Sequence, residues 1–306
     1  MSRLDPSRSP RGNLRGARWI LVVVVVFFVA VAINQIGQVM ESRQAPRVGD
    51  GQDPTTYGYD LDRLSVDTRW LAAAMPKDTL EPLVEPPLLT RSGVDSLNGA
   101  ERGKYLVSED LVVGVVVGGV ARAYPVRVLD WHEVVNDTIG GEPVVVTWHP
   151  LSGVAAAFER RLGDRVLELA VSGLVWNSHH VLHDRGLDGE ESLWVPLLGR
   201  AIGGPWRDRE LTRIPCALVS WEQWVAAYPD ARVPRPTSDM KPAYKRDPYG
   251  NYASGDVVRY PVAKLPPLPD GHRLKDSLPV DPVSRDGVVF ANLHGYRFAL
   301  QAVGLI

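Results

Sequence analysis

The sequence predicts a mainly β (α+β) extracytoplasmic domain, rich in antiparallel hairpins with a few short helices, behind one N-terminal transmembrane helix. Two observations carry that reading: an unbroken apolar run at residues 19–33, and β-branched runs interrupted by glycine turns between 111 and 184. A third is that helical punctuation is clear at only one later segment, after Ser220. The 306 residues are 45% hydrophobic and 23% charged, which is globular composition and excludes a disordered chain.

The first element is a basic cytoplasmic tail, 1–18, holding Arg3, Arg8, Arg11, Arg15 and Arg18 against Asp5 alone. Residues 19–40 then supply 22 largely apolar positions, enough for a helix to cross a bilayer core at about 1.5 Å per residue. Glu41, Asp50, Asp53 and Asp60 outnumber Arg43 and Arg47 beyond it, so the positive-inside rule puts everything past residue 40 on the periplasmic or extracellular side. Ala30-Val31-Ala32 also has the form of a signal-peptidase site. The apolar run continues through Ile33, which favours a retained single-pass anchor. Both readings export the body.

Residues 41–100 read as a tether and an extended wrapping segment, with one short helix over 61–75. The exported β-rich domain occupies 101–306. It opens with a hairpin, 111–117 and 120–124, around Gly118-Gly119. A strand at 144–148 follows the Gly140-Gly141 turn. Runs 154–160 and 165–171 flank Leu162-Gly163-Asp164 as a second hairpin, and 174–176 and 181–184 are further short strands. Ser220 with Gln223 forms a capping box, Trp221, Trp224, Val225 and Tyr228 give the apolar stripe, and Pro229 ends the helix. Residues 234–257 are a polar loop, and 287–292 and 296–303 close the chain as two strands.

Composition excludes several functions. Cys216 is the single cysteine, so there is no intrachain disulfide, no Cys-x-x-Cys pair and no cysteine zinc finger. The net charge is −2 despite the basic tail, so the body is acidic and nucleic acid is not the expected partner.

Between residues 114 and 205 the chain reads GVVVGGVARAYPVRVLDWHEVVNDTIGGEPVVVTW, then SGLVWNS, a D-R pair, ESLW and GRAIGGP. This resembles domain-of-unknown-function family 3179, most specifically over AYPVRVLDWHEVVN from Ala123 to Asn136. The resemblance implies a Cys-Pro-Leu-Cys-Gly segment suited to soft-metal or redox chemistry. This chain instead has His149-Pro150-Leu151-Ser152-Gly153, and His179 stands where the family has Asp after Asn-Ser. Thiol chemistry of the family kind is therefore excluded here.

The candidate site residues are His132, Glu133, His149, His179 and His183, with His180 beside them. Imidazoles suit copper or zinc, and Glu133 would serve as a ligand or as support for one. Residues 179 and 183 share a strand face by alternation. The competing reading makes His132 and Glu133 buried hydrogen-bonding residues and leaves 179, 180 and 183 on an exposed edge. A serine-nucleophile role for Ser152 lacks a Gly-x-Ser-x-Gly elbow, and Glu190-Glu191 reads as a solvated turn. The tryptophans read as core or pocket walls, and Cys216 as a small buried hydrophobe.

Two functions are expected from these residues. The first is a membrane-anchored extracytoplasmic accessory or scaffold subunit, without catalysis or cofactor, bound to an integral-membrane complex such as an electron-transfer or photosynthetic assembly. Its basis is the anchor, the lost thiols, and long arms at 41–100 and 234–286 able to wrap a partner. The second is a histidine-based transition-metal protein or metal-dependent exported enzyme.

Overall fold

Three mainly antiparallel sheets stack in the computed structural model, which describes residues 48–100, 104–185, 190–252, 254–255, 257–263 and 289–290. The basic tail, the expected transmembrane segment 19–40 and most of the two expected closing strands lie outside the described residues. Among the described residues no helix is long and apolar enough to cross a membrane.

The N-terminal arm contributes β1 (Leu71–Ala73), β2 (Leu83–Val84), β3 (Leu88–Leu89) and α1 (Arg91–Ala100). The expected helix over 61–75 is replaced by 3-10 turns at Leu61–Arg63 and Thr68–Trp70 followed by β1. Pairing with a core strand claims these residues, because Leu71 aligns with Trp176 and Ala73 with Leu174. Conversely, α1 lies in a stretch read as extended. Its two glycines and its single buried position, Val94, gave no apolar stripe, although Thr90 Oγ accepts from Gly93 N–H at its start.

The domain proper continues with β4 (Leu111–Val117), β5 (Val120–Pro125), α2 (Val126–His132), β6 (Val134–Ile139), β7 (Glu142–His149) and β8 (Val154–Glu159). A small ribbon, β9 (Arg161–Leu162) and β10 (Arg165–Val166), leads to β11 (Leu169–Trp176) and β12 (His179–Asp184). Then come β13 (Leu193–Val195), β14 (Arg200–Gly203), β15 (Arg213–Ile214), β16 (Cys216–Ser220), α3 (Trp221–Ala227), β17 (Val233–Pro234) and β18 (Val289–Phe290). The first hairpin and the capping-box helix fall where the sequence put them. The hairpin expected from 154–160 and 165–171 does not form between the long strands. Only β9 and β10 pair across the Gly163 turn, while β8 joins β7, and β11 lies between β1 and β12.

The middle sheet, ordered β15-β8-β7-β6-β2 with β18 also on β8, is antiparallel except for the β2–β6 pair. Both of its faces are covered. Val144, Val146 and Trp148 of β7 pack with Val113, Val115 and Tyr124 of the β16-β4-β5 sheet. Val145, one residue out of phase, packs with Leu169, Leu182 and Trp194 of the β1-β11-β12-β13-β14 sheet. Burial on two sides is why β7 reads as a nearly continuous apolar run rather than an alternating one. Cys216 joins the first of these cores, as expected of a small hydrophobe. Trp148, Trp194, Trp221 and Trp224 are buried core residues too.

Candidate functional site

Three chain reversals meet at one end of the stacked sheets. Strands β7 and β8 are closed by residues 150–153, with His149 opposite Val154 and Gly153 N–H bonded to the His149 carbonyl at 2.8 Å. Strands β11 and β12 are joined by Asn177 and Ser178, whose φ values of 52° and 56° make a two-residue turn of the type that matches strand twist. That turn sets His179 opposite Trp176 and His180 opposite Val175. Third, α2 ends at Glu133, which takes φ 57°, a left-handed conformation that glycine usually fills at this place. Its N–H bonds Leu129 and its carbonyl accepts from Trp148 N–H at 2.9 Å, which pins the backbone and turns the carboxylate inward.

The side chains delivered by these reversals form one buried cluster. His149, His179 and His180 have ring centroids 5.2, 4.7 and 4.7 Å apart. Ser152 Oγ lies 2.9 Å from His149 Nδ1 and 2.8 Å from His179 Nδ1. Ser152 Oγ also lies 3.4 Å from the His149 carbonyl, and because a hydroxyl donates only one hydrogen, at least one of the two imidazoles donates to it. His180 Nδ1 lies 2.8 Å from Glu133 Oε2, and Tyr249 O–H donates to Glu133 Oε1 at 2.7 Å. Both carboxylate oxygens are thus engaged. His180 Nε2 is buried with no hydrogen-bond partner among the described residues.

Burial dominates the electrostatics. It pushes the Glu133 carboxyl above its ordinary range, partly offset by His149 and by the Tyr249 hydrogen bond. It lowers His180 to about 3, so that imidazole is neutral throughout the physiological range. Tyr249 is raised, first by burial and then by the Glu133 charge. Beside the cluster is a cavity of about 90 Å³, room for several waters. Its polar walls are Glu133, His149, His180, Tyr249, Arg259 and Tyr260, and its apolar walls include Leu151, Val171 and Leu174.

Of the sequence candidates, the structure unites Glu133, His149 and His179, and adds His180. His132 lies outside the cluster, with Nδ1 2.7 Å from the Glu81 carbonyl and Nε2 2.7 Å from Tyr244 Oη. His183 belongs to a separate network, 2.9 Å from Asp78 and 3.3 Å from Glu191, whose carboxylate Lys77 grips at 2.6 Å. Residues 179, 180 and 183 are all buried, which corrects the exposed-edge reading. Glu191 takes part in an ion network, which corrects the solvated-turn reading at that position. Among the described residues no group of three His, Cys, Asp or Glu side chains is poised to hold a metal ion. Sequence reasoning missed Tyr249, Arg259 and Tyr260, which arrive from a loop without period or motif. The family model described as a protein of unknown function, DUF3179, matches residues 87–284. No curated protein and no solved structure matches the chain.

Proposed function

This chain belongs to the DUF3179 family, and from that premise we propose that it is a membrane-anchored extracytoplasmic binding subunit. Its working part is the buried histidine centre, which holds a small ligand without catalysing a reaction on it. One observation carries the reading: His180 Nε2 is buried, has no partner among the described residues, and belongs to a ring that lines the cavity. A polar atom left dry in this way costs about 1–3 kcal/mol, which a ligand offering a hydrogen recovers. The low basicity of His180 favours binding over catalysis, because an efficient general base titrates near the working pH.

The departures from the family pattern support a rebuilt centre and not an eroded one. His149 and Ser152 replace the thiols, His179 replaces the acid, and Ser152 is hydrogen-bonded to both histidines. The anchor at 19–40 and the exported body fit attachment to an integral-membrane complex. The described parts of the arms, however, pack on this domain itself: Tyr57 and Leu71 lie in its core, and Tyr249 caps its centre. That weakens a purely wrapping scaffold.

Copper or zinc is the second reading. It is favoured because Ser152 and Glu133 hold Nδ1 of all three imidazoles, as the supports of ligating histidines do. The test is native mass spectrometry of the full chain taken from its own membranes in mild detergent, with metal analysis in parallel. We expect a small non-covalent organic or inorganic adduct, absent from His180→Phe, and substoichiometric metal. A bare chain sinks the binding reading. One tightly held ion, lost in His149→Ala, establishes the second.

A further inference from the structure

We infer that the occupant of the cavity is a small acid anion carrying one O–H, its anionic end toward Arg259 and its hydroxyl on His180 Nε2. The inference rests on the binding reading above and names the ligand class for that same site.

The cavity walls narrow the choice. Glu133 lines the space with one acceptor site of each oxygen already taken, by His180 on Oε2 and Tyr249 on Oε1, and its remaining lone pairs likewise favour a ligand that donates. Tyr249 has spent its hydrogen on Glu133. His180 is fixed at Nδ1 by that carboxylate, so with Glu133 ionised its Nε2 carries a lone pair and asks for a donor. The positive charge on the wall is Arg259, whose guanidinium rests over the Tyr252 ring with Cζ 5.4 Å from the centroid. Arg259 is solvent-exposed whereas His180 is fully buried, so the cation lies at the mouth and the acceptor at depth. A ligand spanning them needs a charged oxygen at one end and a hydroxyl at the other.

Size and polarity complete the specification. A volume of about 90 Å³ suits a molecule of a few heavy atoms. The aliphatic walls at Leu151, Val171 and Leu174 accommodate one or two carbons between the polar ends. Short hydroxy acids and hydrogen carbonate share this chemistry.

The experiment is isothermal titration of the full chain in detergent at pH 7 with glycolate, hydrogen carbonate, acetate and glycolamide. Glycolate or hydrogen carbonate should bind, and which is tighter identifies an organic or an inorganic source. Acetate keeps the charge but lacks the hydroxyl, and should bind at least about tenfold more weakly, because a site built around a hydrogen bond rejects the analogue that cannot make it. Arg259→Gln should weaken glycolate at least about tenfold with an unchanged melting temperature. The acetate comparison uses the wild-type chain, so no folding defect can mimic it. Equal affinities for acetate and glycolate, or tighter binding of glycolamide than glycolate, overturn the inference while leaving a binding site in place. Silence from all four probes together with a bare chain in the mass spectrum overturns the inference and the binding reading alike. Silence with a retained adduct overturns the inference alone.

Discussion

Glu133 holds a left-handed backbone that a non-glycine residue adopts at a cost of about 1–3 kcal/mol, and two of its neighbours depend on it for their hydrogen bonds. Strain combined with burial of a carboxylate is hard to justify by packing, and easier to justify at a site. His183 presents the opposite case, a histidine held by structure. Burial works against its charged form, yet hydrogen bonds to Asp78 and Glu191 outweigh that and raise its pKa. A raised histidine contributes stability that is complete below the unfolded value of about 6.5 and fades as pH climbs through the folded value. The melting-temperature gap between wild type and His183→Gln should therefore be wide at pH 6 and narrow by pH 9. A gap that does not change would remove the ion network from the stability of this arm. In the sequence the histidines were legible as a set, but their partition was not. Strand parity rightly puts 179 and 183 on one face, yet four residues of strand separate them by about 13 Å, too far to share a ligand.

Turns were the most legible elements. Gly118-Gly119, Gly140-Gly141 and the Ser220 capping box are local chemistry, so the first hairpin, the strand after Gly140-Gly141 and the helix fall as read. Pairing partners are non-local, and the 154–171 region shows the consequence: a correct turn at Gly163 was extended into a hairpin that the long strands do not make. Nor did any local signal announce α2 or β6, which exist because two neighbouring sheets cover them. Gly173 is a further element-scale feature. It sits in the β11 bulge at φ 84°, and an added Cβ would lie 2.1 Å from the Met75 carbonyl. Gly173→Ala should lower unfolding stability by about 3 kcal/mol or more, read as a reduced urea midpoint. An unchanged midpoint would mean the arm carrying Met75 can move aside at little cost.

For the molecule as a whole, the mainly β architecture was readable because alternation and glycine punctuation recur along the chain. The Tyr249 loop was not, since proline-rich sequence without period says nothing about what it touches. The anchor proposal is tested by fractionation: the full chain should stay in the membrane pellet through an alkaline wash, and deletion of residues 1–40 should release it. A mature chain that begins after Ala32 and fractionates as soluble would replace the anchor by a cleaved signal. A last consequence follows from the loop that bears Tyr244 and Tyr249, whose hydroxyls bond the adjacent residues His132 and Glu133. Lifting that loop breaks both contacts in one motion. Whatever fills the space beneath it should then slow amide hydrogen exchange from 244 to 249, so the backbone there keeps a record of occupancy that can be read without knowing the occupant.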